Sequence, residues 1–152
     1  MKVLPIILAR GGSKRIPRKN ILPMAGRPMI AWTVECALKT KGLDPVIVST
    51  DDEEIAAVCR MWGATVPFLR PEYLAGDDAT SVDVVLHALD WLEKNTAYRP
   101  DFVLLLQPTS PLRSPSDIEA CLAAQNEKKT DAVVSVCKSP HPVKFLKQVS
   151  DD

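Results

Sequence analysis

The chain has 152 residues, of which 46% are hydrophobic and 25% charged, so it is long enough for one globular domain with a substantial core. Its nineteen Lys and Arg residues balance nineteen Asp and Glu residues, which argues against the broadly cationic surface expected of a nucleic-acid-binding protein. No apolar run approaches the roughly 20 residues that span a bilayer, and the N-terminus lacks a signal-peptide pattern, so we expect a cytosolic protein that has no membrane partner.

Short apolar runs alternate with helical patterns along the chain. Runs at 3–8, 46–48 and 102–106 are rich in branched residues and do not alternate with polar ones, which is typical of strands buried on both faces of a parallel sheet. A fourth strand is predicted at 132–136, and 65–69 is a candidate for a further short strand. Amphipathic patterns between these runs predict helices. The alternation predicts a three-layer α/β/α fold with a mainly parallel sheet, forming one domain over 1–152.

The helical patterns also predict faces and caps. Thr50 and Glu53 have the spacing of a capping box before the second helix. Ser114 is expected to cap the last helix, with Pro115 at its first position. The helix predicted at 81–92 is expected to bury one apolar face, made of Val82, Val85, Leu86, Leu89 and Leu92.

A basic loop, Ala9 to Asn20, directly follows the first apolar run. It holds five of the nineteen Lys and Arg residues and no Asp or Glu. Gly11 and Gly12 can take backbone angles closed to other residues, so that peptide N–H groups can turn toward a phosphate. The loop lacks the glycine spacing of a P-loop or of a dinucleotide-binding fold. The position of the loop after a buried strand favours a triphosphate site. A solvated basic loop and a nucleic-acid patch remain alternatives.

Four strings carry a family resemblance. The opening ILARGGSKRIPRKN (7–20) closely resembles the acylneuraminate cytidylyltransferases, also called CMP-sialic acid synthetases, and their relatives acting on legionaminic and pseudaminic acid. Three further strings match in the family's order, namely VSTDDEEIA (48–56), FLRP followed by LA (68–75), and LLQPTSPLR (105–113). The resemblance implies a nucleotide-diphospho-sugar transferase-like, Rossmann-like fold, a Mg²⁺ cofactor and a homodimer. It also implies transfer of CMP from CTP to the anomeric hydroxyl of a nine-carbon 2-keto sugar acid, with release of pyrophosphate.

The resemblance assigns roles to individual residues. The residues implied to bind CTP are Arg10, Gly11, Ser13, Lys14, Lys19, Asn20, Arg70 and Ser81, the last two at the cytosine end. Arg10 and Lys19 are the catalytic candidates, because they would stabilise the departing pyrophosphate. The residues implied to contact the sugar acid are Gln107, Thr109 and Arg113, in a string closer to the sialic and legionaminic branch.

Several of these residues also have structural interpretations. Arg70 is alternatively a surface arginine, and Ser81 alternatively a helix cap. Asp51 and Asp52 suit helix capping as well as a ligand. Asp77 and Asp78 fit a solvated turn better than a metal site. The proline-rich turn, 107–113, is alternatively a corner that stiffens the sheet edge.

Family members continue well beyond the length of this chain. The further segment normally supplies a dimerisation element, more sugar contacts and the aspartates that bind Mg²⁺, so we expect the metal ligands to lie beyond residue 152. A truncated chain is expected to bind CTP but to turn over weakly or not at all. A non-catalytic nucleotide-binding module, and a sugar nucleotidyltransferase using another base or acid, are the alternatives.

Overall fold

This computed structural model describes residues 1–43 and 45–137. The chain divides into two compact units, Met1–Ile118 and a second that begins at Glu119, while one domain over 1–152 stays a prediction. The strands are β1 (Val3–Leu8), β2 (Pro23–Met24), β3 (Arg27–Pro28), β4 (Ile47–Ser49) and β5 (Phe102–Leu106), and the helices are α1 (Met29–Lys39), α2 (Glu53–Met61), α3 (Ser81–Asn95) and α4 (Pro115–Lys128). None of the helices in the described residues is long and apolar enough to cross a membrane.

A parallel sheet forms the centre of the first unit. β1 lies between β4 and β5 and pairs with both in parallel, so that Ile7 is opposite Val48 on one side and Leu106 on the other. β2 and β3 form a separate antiparallel hairpin. Since helices follow or precede each parallel strand, the predicted α/β class is confirmed, with β1 and β5 at the predicted bounds.

Helices cover both faces of the sheet. On one face, Leu4 and Ile6 of β1 pack with Ala88 and Leu92 of α3, and all four side chains are buried. Successive side chains of a strand point to opposite faces, so Ile7 faces the other side, where α1 contacts β1. All these strand side chains are therefore withdrawn from water, which leaves the strand ends to carry polar groups.

The buried face of α3 matches the predicted one only in part, because three of the five predicted residues pack on the core and two do not. Val82 and Leu86 are 65% and 56% exposed, whereas Val84, Ala88 and Leu92 are buried. These three residues are four apart, so they form one stripe along the helix. The prediction followed the largest side chains, but Ala88 is the residue that lets α3 approach β1 closely.

Three further predictions about local structure are wrong. Asp52, and not Thr50, caps α2, because its carboxylate accepts a hydrogen bond from the Ile55 N–H at 3.0 Å. The 65–69 run forms two isolated bridges to residues 47 and 50 and no strand. The 132–136 run is also not a strand; Val134 and Val136 are 78% and 91% exposed, and no ladder partner lies within the described residues. Branched residues favour a strand only where a neighbouring strand supplies hydrogen bonds.

The start of α4 is as predicted. The Ser114 hydroxyl accepts a hydrogen bond from the Asp117 N–H at 3.3 Å, and the Asp117 carboxylate accepts one from the Ser114 N–H at 2.8 Å. This reciprocal pair is a capping box. This capping box fixes the position at which the proline-rich turn ends and α4 begins.

Candidate functional site

A cavity of about 290 Å³ opens at the carboxyl ends of β1 and β5. Ligand sites in open parallel sheets favour this edge, because the loops that leave neighbouring strands converge there. Eight of the eleven predicted site residues line the cavity, namely Arg10, Ser13, Lys19, Asn20, Arg70, Ser81, Gln107 and Thr109. The other three, Gly11, Lys14 and Arg113, lie outside its lining.

Gly11 is the point at which the basic loop is fixed to the sheet. Its N–H donates to Asp51 Oδ1 at 2.9 Å, and a β-carbon at this position would lie only 2.7 Å from Asp52 Oδ2. Neither Gly11 nor Gly12 uses its conformational freedom, because neither has a left-handed φ. Gly11 is therefore required by the close approach of Asp52, and its N–H is held by a carboxylate instead of being free for a phosphate.

Arg18 anchors the far end of the basic loop. Its guanidinium pairs with Asp52 and with Glu54 of α2. Burial of the Asp52 carboxyl opposes ionisation, but hydrogen bonds from Arg18 and from the Ile55 N–H outweigh it and lower the pKa of Asp52. Asp52 therefore caps α2 and binds Arg18, so the capping interpretation of this residue is confirmed. One of the five cations of the loop is thus used for structure.

Lys19 and Asn20 lie in a short 3₁₀ turn at the end of the loop. Asn20 is buried, and its Nδ2 donates to the backbone oxygen of Arg10 at 3.0 Å, which fixes the start of the loop against its end. Among the residues that the structure describes, no carboxylate lies within ion-pair distance of Lys19. Its ammonium group is therefore available to an anion in the cavity.

Arg10 and Lys14 are both paired with Asp77. Arg10 Nη1 lies 2.9 Å from Asp77 Oδ1 and also donates to the Gly76 carbonyl at 3.0 Å, while Lys14 Nζ pairs with Asp77 Oδ2. Hydrogen bonds from Lys14 and Arg10 lower the pKa of Asp77, so this carboxylate is charged at neutral pH. Asp77 itself lines the cavity. The sequence interpretation of a solvated turn missed this partnership, because a gap of 63 residues or more separates Asp77 from both cations.

Arg70 is buried beside the cavity, so its interpretation as a surface arginine is wrong. It is 6% exposed, and its guanidinium donates to Ser49 Oγ at 3.1 Å, to the Ser49 carbonyl at 2.5 Å and to the Leu74 carbonyl at 3.4 Å. Burial lowers the pKa of Arg70, although the Asp51 charge acts in the opposite direction. Three of its five N–H groups are used in this way, which leaves two for a ligand.

Ser81 begins α3 and does not cap it. The cap is Thr80, whose hydroxyl accepts a hydrogen bond from the Asp83 N–H at 3.2 Å, with the Asp83 carboxylate bound back to the Thr80 N–H at 3.2 Å. The alternative interpretation of Ser81 as a helix cap is therefore wrong. Its hydroxyl lies at the cavity wall without a capping duty.

The proline-rich turn supplies the opposite wall through Gln107 and Thr109. Its residues form turns and no regular helix or strand, as the prolines predict. Arg113 Nη2 donates to the Gln107 carbonyl at 3.4 Å, and its Nη1 is buried without a hydrogen-bond partner among the described residues. Arg113 lies outside the lining of this cavity, so its contact with a sugar acid stays a prediction.

The carboxylates near the cavity do not fit a Mg²⁺ site. Mg²⁺ requires several oxygen ligands in octahedral geometry, but Asp51 is bound to a backbone N–H and Asp77 is paired with two cations. In the described part of the chain, no three Asp, Glu, His or Cys side chains form a group that could hold a metal. Within the described residues, the cavity presents cations and hydrogen-bond donors to a ligand.

Comparisons with known proteins show the family of this chain. The cytidylyltransferase family model matches residues 4–149. The CMP-N,N'-diacetyllegionaminic acid synthase of Legionella pneumophila is 44% identical over 78% of this chain and 50% of its own length. A pseudaminic acid cytidylyltransferase of Campylobacter jejuni is 48% identical over 74% of this chain and 48% of its own. The chain thus spans about half the length of these curated relatives.

A solved structure supports the same relationship. A CMP:2-keto-3-deoxy-manno-octonic acid synthetase complexed with CTP superimposes with a TM-score of 0.70 and 27% identity, covering 85% of this chain and 49% of that one. The four strings that carry the resemblance all fall within the region matched by the family model. The chain belongs to the cytidylyltransferase family.

Proposed function

We propose that this chain forms the nucleotide-binding part of an enzyme that transfers CMP from CTP to the anomeric hydroxyl of a nine-carbon 2-keto sugar acid, releasing pyrophosphate. The observation that carries the proposal is the cavity itself, which brings Arg10, Ser13 and Lys19 of the basic loop together with Arg70 and the proline-rich turn. Family membership and the relatives' printed activities support it. A cytosolic location, a homodimer and a Mg²⁺ requirement stay predictions.

The cations are suited to the leaving group. In this reaction the anomeric oxygen loses its proton and forms a bond to the α-phosphorus, while the bond from that phosphorus to the bridging oxygen breaks and pyrophosphate departs. Catalysis of phosphoryl transfer consists mainly of positioning and of stabilising charge on the departing oxygens. Lys19 and Arg10 would supply that stabilisation, and the Ser13 hydroxyl would add a neutral hydrogen bond.

The base end of the cavity favours a pyrimidine that presents hydrogen-bond acceptors. Cytosine offers its carbonyl oxygen and a ring nitrogen as acceptors on one edge, and the two remaining N–H groups of Arg70 match acceptors. Because this guanidinium is already fixed by Ser49 and Leu74, little conformational freedom is lost when a base binds. The hydroxyl of Ser81 lies at the same cavity and can serve as a further donor or acceptor.

Gln107 and Thr109 would contact the sugar acid from the opposite wall. Both offer neutral donors and acceptors suited to hydroxyl and carboxylate groups. The relatives named above act on different acids of this class. The proposal therefore names the class of acid and not one particular acid. A non-catalytic nucleotide-binding role is the second candidate, and it is favoured by the engagement of Asp51 with a backbone N–H and of Asp77 with two cations, since neither carboxylate is free to act on a substrate.

Calorimetric titration of CTP, ATP and GTP tests the nucleotide assignment. The experiment uses the whole chain in buffer with EDTA, so that differences in metal binding do not contribute. CTP is expected to bind at least about tenfold more tightly than either purine nucleotide, because both purines are larger than cytosine, and guanine can offer two adjacent acceptors to Arg70 only through O6 and N7, in a different orientation. Equal affinity for the three nucleotides would reject the cytidylyl assignment while leaving a general triphosphate site.

A further inference from the structure

Two cations of the basic loop already have an anionic partner within the chain. Asp77 reaches Arg10 with one carboxylate oxygen and Lys14 with the other, and the neighbouring Gly76 carbonyl accepts a second hydrogen bond from Arg10 Nη1. Both protons of that Nη1 atom are therefore engaged. A phosphate that is to bind this nitrogen must replace at least one of these contacts.

The ion pairs of Asp77 with Arg10 and Lys14 have the properties expected of contacts that a ligand can replace. The side chains of Arg10 and Asp77 are 37% and 46% exposed, and that of Lys14 is 79% exposed. Ion pairs this exposed are weak, because water and salt screen them. Asp77 also lies outside the regular elements, three residues beyond the 3₁₀ turn Glu72–Leu74 and ahead of the Thr80 cap. It can therefore separate from the cations without disturbing the sheet.

We infer that Asp77 is an internal anion that pairs with the phosphate-binding cations of the cavity and is displaced when a triphosphate binds. The choice of triphosphate as the displacing ligand rests on the proposed function. Asp77 then acts as a specificity determinant, since a ligand with several negative charges competes well against one carboxylate and a ligand with few charges does not. Removal of its charge should strengthen binding, whereas removal of a residue that merely positions Arg10 should weaken it.

The test uses inorganic triphosphate as the probe, so that it does not depend on recognition of the base. Calorimetry in metal-free buffer compares the unmodified chain with Asp77→Asn and with Asp78→Asn. Asp78 is the matched control, because it is the exposed neighbour and its substitution makes the same change in net charge. Asp77→Ala, which leaves no hydrogen-bonding side chain at position 77, is a second variant that is also expected to bind triphosphate more tightly.

Asp77→Asn is expected to bind triphosphate about tenfold more tightly than the unmodified chain, and Asp78→Asn to remain within about twofold of it. Unchanged or weaker binding by both Asp77 variants overturns the inference, as does an equal gain in Asp78→Asn or a failure of triphosphate to bind any form. A gain confined to the Asp77 variants, with CTP no tighter than ATP, would instead support the internal anion and reject the cytidylyl assignment.

Discussion

Lys19→Glu is expected to abolish measurable CTP binding, with a loss of at least about 100-fold in affinity. Within the described residues Lys19 has no carboxylate partner, in contrast to Arg10, Lys14 and Arg18, so its charge is directly available to a triphosphate in the cavity. The substitution removes a charge-assisted hydrogen bond and places a like charge beside the phosphates. Calorimetry with CTP measures the loss.

Lys41→Glu is the matched control for this substitution. Lys41 is exposed and lies outside the cavity lining, and its change alters the net charge by the same amount. CTP affinity of this variant should stay within about threefold of the unmodified chain, since screening limits distant charges. Far-UV circular dichroism should be unchanged for both variants. If Lys19→Glu retained CTP binding comparable to Lys41→Glu, the phosphates would not be held by this loop.

Gly11→Ala is expected to have the second largest effect. The added β-carbon would lie 2.7 Å from Asp52 Oδ2 and 3.0 Å from Asp52 Cβ. Asp52 cannot easily move away, because it caps α2 through the Ile55 N–H and pairs with Arg18. The loop must shift instead, at a cost of about 1–3 kcal/mol of unfolding free energy, together with misplacement of Arg10 and a fall of at least about tenfold in CTP affinity.

Gly12→Ala provides an unusually close control for that prediction. Nothing lies within 4 Å of a β-carbon at position 12, and its φ is not left-handed. Alanine at such a position reduces the freedom of the unfolded chain, so stability should be unchanged or higher by about 0.4–1 kcal/mol. Urea unfolding measures both variants. Equal destabilisation by the two substitutions would mean that general loop flexibility, and not contact with Asp52, requires Gly11.

Local patterns predicted the framework of the sheet well. β1 and β5 were predictable to the residue because each is a continuous apolar run ended by polar or proline-rich sequence. The buried face of α3 was predictable only in part, because the choice of Ala88 over Leu86 depends on how closely the helix approaches β1. The apolar run at 132–136 has strand-forming residues, but pairing with a neighbour is a property that composition does not contain.

The cations of the candidate site could be predicted from the sequence, but the carboxylates that bind the basic loop could not. Arg10, Lys19 and Gln107 follow strands that end at one edge of the sheet, so their convergence follows from the parallel arrangement. The bonds of Asp51 to Gly11 and of Asp77 to Arg10 join residues 40 or more positions apart. Their partners depend on loop conformations that neither periodicity nor spacing encodes. Gly11 is required because Asp52 approaches it closely, and not because of a special backbone angle. That requirement also could not be predicted without the position of Asp52.

A crystal structure of this chain with CTP is the most direct test of the nucleotide site. We expect triphosphate oxygens within about 3 Å of Lys19 Nζ and of the Arg10 guanidinium, with the cytosine edge facing Arg70 and Ser81. CTP bound away from the cavity, or bound with its triphosphate in contact with neither Lys19 nor Arg10, would contradict the assignment of the basic loop as the phosphate-binding element.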